Sequence, residues 1–112
     1  MNGIQRGDIV YTPFPFSDLT GQKFRPALVL GVDGDLVIVC FISSKQPSEN
    51  LSLVRVMPNE ENGLLKPSTI VVSKLISLDK KVLIGRLGTL DRVLFEEVNR
   101  RLLEVFELSN RG

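Results

Sequence analysis

Two apolar runs joined by a short turn dominate the middle of the sequence. Residues 25–32 and 35–42 are almost wholly aliphatic and β-branched, and only Asp33-Gly34 separates them. An Asp-Gly pair between apolar runs favours a two-residue hairpin turn, because both positions tolerate a positive φ. The near absence of polar alternation indicates that both arms are covered on both faces. The pattern therefore predicts a central β-hairpin.

The flanking pattern predicts more strands and then one helix. From Asp91 onward the apolar residues recur three or four positions apart, which is the spacing of one helix face. Asp91 suits the N-cap of this helix, and Asn110 and Gly112 suit its end. The resulting prediction is a mainly β chain, a small and partly open β-barrel with a C-terminal amphipathic helix packed on it. Besides the hairpin, the predicted strands are residues 9–12, 51–57, 68–78 (as one or two strands) and 83–90.

Composition narrows the chemistry that is available. The 112 residues favour a single domain, residues 1–112. The net charge of +1 excludes the strongly basic surface of many nucleic-acid-binding proteins. The chain has no histidine, which excludes the Ser-His-Asp triad, the Cys-His dyad and zinc sites that need imidazole. Its one cysteine, Cys40, cannot form an internal disulfide, so we expect a cytoplasmic protein. The longest apolar run, Leu36 to Ile42, is too short to span a bilayer.

The hairpin brings an arginine close to two serines. If Val32 faces Asp35 across the turn, Arg25 faces Ile42, and Ser43 and Ser44 follow directly. Strict alternation puts Ser44 on the face of Arg25, whereas a bulge or the end of the strand would select Ser43, so both hydroxyls stay candidates. A guanidinium beside hydroxyls suits a phosphate group, because its planar fork matches two phosphate oxygens. In the alternative interpretation, Arg25 merely ends a strand and pairs with a carboxylate.

The loop before Arg25 is unusually aromatic. Phe14 and Phe16 either plug the core or flank a binding cleft, where they could stack on an unpaired base. The acidic pairs of the chain lie in turns and lack metal-ligand spacing, so neither a metal nor another cofactor is expected. Three polar side chains nearby could add contacts to the same ligand: Lys23, Lys45 and Gln46.

Three segments share a recognisable pattern: Arg6-Gly7-Asp8-Ile9-Val10, Pro13-Phe14-Pro15-Phe16 and Arg25-Pro26-Ala27-Leu28-Val29-Leu30. Together they resemble the opening of the MazF/PemK family, the toxins of bacterial type II toxin–antitoxin systems. The resemblance is most specific from Arg6 to Leu30, and it extends over Ile42-Ser43-Ser44 and, more loosely, over most of the remaining chain. It implies a small SH3-like β-barrel of the CcdB/PemK type, a homodimer and a cognate antitoxin, while the short apolar runs predict no membrane association. It also implies metal-independent endoribonuclease activity on single-stranded RNA.

The resemblance assigns roles to individual residues. The essential arginine of the family falls on Arg25, and its threonine or serine falls on Ser43. Many members carry a basic residue where this chain has Ile76, and Lys74 is the nearest substitute. Without histidine, cleavage would use the 2′-OH of the RNA itself as the nucleophile, with Arg25 neutralising the phosphorane.

Two rival functions keep the same fold. One is a toxin that poisons gyrase by binding protein, and the other is a non-catalytic adaptor module; neither needs the pairing of Arg25 with Ser43. For the homodimer, we expect burial of residues 70–78 and of the helix after Asp91. The cleft should bind either RNA or an acidic antitoxin segment, because four cations are expected there: Lys23, Arg25, Lys45 and Lys74.

Overall fold

The fold is one antiparallel sheet that curls around a C-terminal helix. The computed structural model describes residues 3–13 and 24–108, so Phe14, Phe16 and Lys23 lie outside the described residues. Six strands pair in the order β4-β5-β3-β2-β1-β6, which places the β2–β3 hairpin at the centre, as predicted. The prediction of a mainly β chain closed by one helix is confirmed. The elements are β1 (Asp8–Pro13), β2 (Phe24–Asp33), β3 (Leu36–Ser43), β4 (Leu53–Val56), β5 (Ser68–Asp79), a 3₁₀ turn (Lys80–Val82), β6 (Gly85–Thr89) and α1 (Arg92–Val105).

Both faces of the central strands are buried, each in its own apolar cluster. One face joins Leu28, Cys40 and Ile42 to Val98 of the helix. The other face joins Ala27, Val29, Val37 and Phe41 to Ile4, which precedes β1, and to Leu83, which follows the 3₁₀ turn. The hairpin arms are therefore covered on both faces, as their continuous apolar sequence predicts. Coverage ends near the turn, where Ile38 remains 37% exposed.

The predicted turn of the hairpin is wrong by one residue, and the predicted pairing beside it is therefore wrong by two residues. The turn residues are Gly34 and Asp35, because Gly34 takes the positive φ of 59° at the first turn position while Asp33 stays paired with Leu36. Val32 accordingly faces Val37. A bulge at Leu30 then shifts the pairing again, so that Ala27 faces Phe41.

The helix begins where the sequence predicts and ends earlier. Asp91 is its N-cap, and its carboxylate oxygen accepts from the backbone N–H of Val93 at 2.6 Å. The helix ends at Val105, not near Asn110 and Gly112, which lie outside the described residues. Leu108 N–H donates to the Leu103 carbonyl at 2.8 Å, and Glu107 has a φ of 56°. This is a Schellman-type end, in which a left-handed residue lets the chain turn back on the last carbonyls.

Candidate functional site

Arg25 and Ser43 lie across from each other at one end of the sheet. Arg25 faces Thr12 of β1, and the following Pro26 keeps it in an extended conformation. Extending the observed pairing of Ala27 with Phe41 by two residues sets Arg25 opposite Ser43. The sequence-derived register had set Arg25 opposite Ile42; the shifted turn and the bulge at Leu30 account for the difference.

A cavity of about 260 Å³ opens beside this pair, and we call it the serine cavity. The backbone N–H of Lys45 donates to Ser43 Oγ at 3.1 Å, and Ser43 Oγ in turn donates to the Lys45 carbonyl at 3.3 Å. The hydroxyl is therefore held in place, while its oxygen keeps a further lone pair for another donor. The serine cavity is lined by Arg25, Phe41, Ile42, Ser43, Lys45, Gln46, Pro47, Val71 and Lys74.

Arg25 also lines a second cavity, of about 390 Å³, which we call the aromatic cavity. Ser44 lies here, apart from Ser43, as expected for consecutive residues at the end of a strand. Two aromatic side chains, Tyr11 and Phe24, stack with their ring centroids 6.2 Å apart and their planes at 26°. The cavity is lined by Tyr11, Phe24, Arg25, Pro26, Ser44, Gly63, Leu64, Leu65, Lys66, Ser68 and Leu87.

The loop that forms the far wall of the aromatic cavity is fixed in place. A Cβ on Gly63 would lie 2.2 Å from the carbonyl oxygen of Leu87, so glycine is required for the loop to approach β6 this closely. The side chain of Asn62 bonds the backbone on both sides, accepting from the N–H of Leu64 at 2.9 Å and donating to the Met57 carbonyl at 2.8 Å. The wall is therefore preorganised.

The site is positively charged. Arg25, Lys45 and Lys74 line the serine cavity, Lys66 lines the aromatic cavity, and none of the described lining residues is acidic. Such an arrangement of cations attracts anions such as a phosphate group.

Sequence reasoning missed part of this site. It placed base stacking on Phe14 and Phe16, whose positions are outside the described residues, and it did not consider Tyr11 or Phe24. Tyr11 lies in β1 and Phe24 begins β2, so the two rings come together only through the pairing of these strands, which the sequence pattern did not specify. The other predicted side chains, Lys45, Gln46 and Lys74, do line the serine cavity together with Arg25 and Ser43.

Metal and thiol chemistry find no support in the described part of the chain. No group of three or more His, Cys, Asp or Glu side chains within residues 3–13 and 24–108 is arranged to hold a metal ion. Burial raises the pKa of the Cys40 thiol to about 12, so it is not a thiolate nucleophile at neutral pH.

The helices within residues 3–13 and 24–108 include none with the length and hydropathy of a membrane span.

Comparison with known proteins gives one consistent result. A family model described as PemK-like, MazF-like toxin of type II toxin–antitoxin system matches residues 5–106. A mycobacterial endoribonuclease solved in complex with its cognate antitoxin is 16% identical, with a TM-score of 0.73 over 96% of this chain and 99% of that chain. A MazE–MazF crystal structure from Deinococcus radiodurans is 20% identical, with a TM-score of 0.71 over 95% and 98%. The Mycobacterium tuberculosis toxin MazF-mt6 is 18% identical, with a TM-score of 0.69 over 92% and 99%. No curated protein sequence matches significantly.

Proposed function

Because the chain belongs to the family of PemK-like, MazF-like toxins of type II toxin–antitoxin systems, we propose that it is a metal-independent endoribonuclease that cleaves single-stranded RNA. The observation that carries this proposal is the position of Arg25 between two cavities, with Ser43 on one side and an aromatic pair on the other. This arrangement fits a phosphodiester, since a nucleoside extends from each side of the phosphate.

In the proposed reaction the RNA supplies its own nucleophile. The 2′-oxygen attacks the adjacent phosphorus, the bond from phosphorus to the 5′-oxygen breaks, and a 2′,3′-cyclic phosphate and a 5′-hydroxyl form. In net terms, the proton lost by the 2′-hydroxyl is gained by the leaving 5′-oxygen. Arg25 stabilises the negative charge that builds up on the phosphorane oxygens and takes no part in the proton transfer. Ser43 Oγ accepts from the 2′-hydroxyl through its remaining lone pair, or donates to a phosphate oxygen once it releases the Lys45 carbonyl.

The test is cleavage of single-stranded RNA by purified protein in excess EDTA. We expect Arg25→Ala to lower the rate roughly 10³-fold or more, as for arginines that stabilise a phosphoryl transition state. Arg25→Lys should recover little, because a point charge does not reproduce the bidentate fork. Arg92→Ala is the matched control, since Arg92 is an exposed arginine on the helix that pairs with Glu96 and lines neither cavity. Near-normal cleavage by Arg25→Ala, or activity that EDTA abolishes and magnesium restores, contradicts the mechanism.

The two serines are separated by a matched pair of variants. Ser43→Ala should cost more activity than Ser44→Ala, because Ser43 shares the serine cavity with Arg25 and Lys74 while Ser44 lies in the aromatic cavity. A larger loss in Ser44→Ala would place the functional hydroxyl on the other side of the strand end.

A homodimer is proposed through the apolar face at the end of the helix. Leu103, Phe106 and Leu108 are exposed there and, with side chains of the sheet, line an entirely apolar groove. Ile70, Val71 and Val72, which the sequence prediction included in the interface, are already buried within the single chain. The proposal is therefore restricted to residues 75–78 and the end of the helix, residues 102–108. Sedimentation at micromolar concentration should give twice the monomer mass, and a stable monomer would contradict it.

An antitoxin is the second proposed partner, as in the antitoxin complexes of the structural neighbours. An acidic segment would occupy the same cationic cavities as RNA, because none of their described lining residues is acidic and would repel it. Inhibition should therefore be competitive with RNA and should weaken as salt is added.

A further inference from the structure

The aromatic cavity has features that phosphate binding at Arg25 does not require. Tyr11 and Phe24 are 37% and 38% exposed although their rings stack on each other, and Leu65 across the cavity is 94% exposed. Apolar side chains that cluster on a concave surface and stay in water usually mark a binding site. The volume of about 390 Å³ lies within the range of small-molecule pockets, roughly 300–1,000 Å³.

The chemistry of the lining identifies the class of group that would bind. Flat aromatic rings bind other flat rings by stacking, and single-stranded RNA offers one such ring at every nucleotide. Lys66 and Ser44 add polar groups at the rim, where they could reach the edge of a base or its phosphate. Because Arg25 lines this cavity as well, a base bound here belongs to a nucleotide next to the phosphate that Arg25 holds.

We propose that Tyr11 and Phe24 form a base-binding subsite, in which the unpaired base on one side of the cleaved phosphate stacks against this ring pair and opposite Leu65. The inference rests on the proposed function and adds to it the residues that hold the substrate beside the reacting bond. The fixed loop from Asn62 to Lys66 keeps the subsite open before RNA arrives, which lowers the entropic cost of binding.

Tyr11 provides a direct readout that does not depend on cleavage. The chain contains one tyrosine and no tryptophan, so its ultraviolet fluorescence comes from Tyr11. The probe is a 2′-O-methyl RNA decamer, which lacks the nucleophile and stays intact. A decamer of abasic nucleotides with the same number of phosphates serves as the control ligand. We expect the RNA to quench Tyr11 and the abasic strand to leave its emission unchanged, after correction for absorbance.

Substitutions at Phe24 separate stacking from apolar contact. Phe24→Leu keeps apolar bulk but removes the ring, and it should weaken binding of the RNA decamer roughly 5- to 150-fold, the range measured for loss of one base–aromatic stack. Phe24→Tyr should retain the affinity. The abasic strand should bind both variants like the unchanged protein. Val93→Ala, an exposed helix residue outside both cavities, is the control for substitution itself.

The outcomes distinguish failure of the subsite from failure of the function. If Phe24→Leu binds and cleaves RNA normally and Tyr11 is not quenched, the subsite is overturned while the endoribonuclease proposal stands. If the unchanged protein neither binds nor cleaves RNA, both are overturned. If only an acidic peptide quenches Tyr11, the cavity belongs to a protein partner and the subsite is again overturned.

Discussion

Replacing Asn62 by alanine should destabilise the protein by about 3 kcal/mol. The side chain is 1% exposed. Its Oδ1 accepts from the backbone N–H of Asn59 at 3.1 Å and of Leu64 at 2.9 Å, and its Nδ2 donates to the Met57 carbonyl at 2.8 Å. Each such bond contributes about 1 kcal/mol net, and a buried donor left without a partner costs about 1–3 kcal/mol. Of these three bonds only the one from the Leu64 N–H is fully buried, so water can replace part of the other two, and the sum stays near 3 kcal/mol.

Urea unfolding at a fixed protein concentration measures this change. With a slope of roughly 1–3 kcal/mol per molar urea, the midpoint should fall by about 1–3 M. The melting temperature should fall by roughly 10 °C for a domain of this size. Asn50→Ala is the matched control, because Asn50 is exposed and, within the described residues, only its backbone N–H forms a hydrogen bond, to Ser48. We expect that variant to change stability by less than about 0.5 kcal/mol.

A loss below about 1 kcal/mol in Asn62→Ala, with an unchanged urea slope, would refute this reasoning. It would mean that the loop of residues 59–64 keeps its conformation without the side-chain bonds. A reduced slope would point instead to a change in the denatured state. The same variant should also widen the aromatic cavity, so its affinity for the RNA decamer should fall together with its stability.

Two further predictions concern the helix end and the buried thiol. Glu107→Gly should stabilise the protein by about 1 kcal/mol in urea unfolding, because glycine relieves the positive φ and removes an acidic group from a helix C-terminus, whereas Glu107→Ala should gain less. Cys40, with its pKa raised to about 12 by burial, should react with a thiol reagent at pH 8 only in urea. Since the unfolded thiol ionises near pH 8.5, the stability that it contributes should fall as pH rises above that value. Labelling of folded Cys40, or equal stability of the Glu107→Ala and Glu107→Gly variants, would contradict these predictions.

The fold was predictable because local signals and apolar patterning agree. Asp91 as N-cap and a clear helical period mark the helix, and continuous apolar runs mark the central strands. Each element could therefore be identified as helix or strand from its own local sequence. The barrel-type curvature of the sheet was predicted from the family resemblance, which the match over residues 5–106 confirms. The helix end was missed because Glu107 takes a conformation that sequence rules assign to glycine.

The site was less predictable because it depends on pairing between strands. Asp33, Gly34 and Asp35 offer two overlapping turns, and sequence alone does not decide which one forms. The bulge at Leu30 has no sequence signal of its own. The stacking of Tyr11 with Phe24 likewise arises only when β1 and β2 are in register.

The bulge at Leu30 bears on how insertions and deletions would act in this hairpin. Without an unpaired residue in β2, the pairing of Gly31 with Ile38 would continue straight and bring Arg25 opposite Ser44. A relative that lacks a residue at the position of Leu30 would flatten the strand and still keep Arg25 opposite Ser43. A relative that loses a residue from β3 would move Ser44 into that place instead. Deletions in the two strands are therefore not equivalent. β2 can lose its unpaired residue without changing which residue faces Arg25, whereas any deletion in β3 between Ile38 and Ser43 changes it.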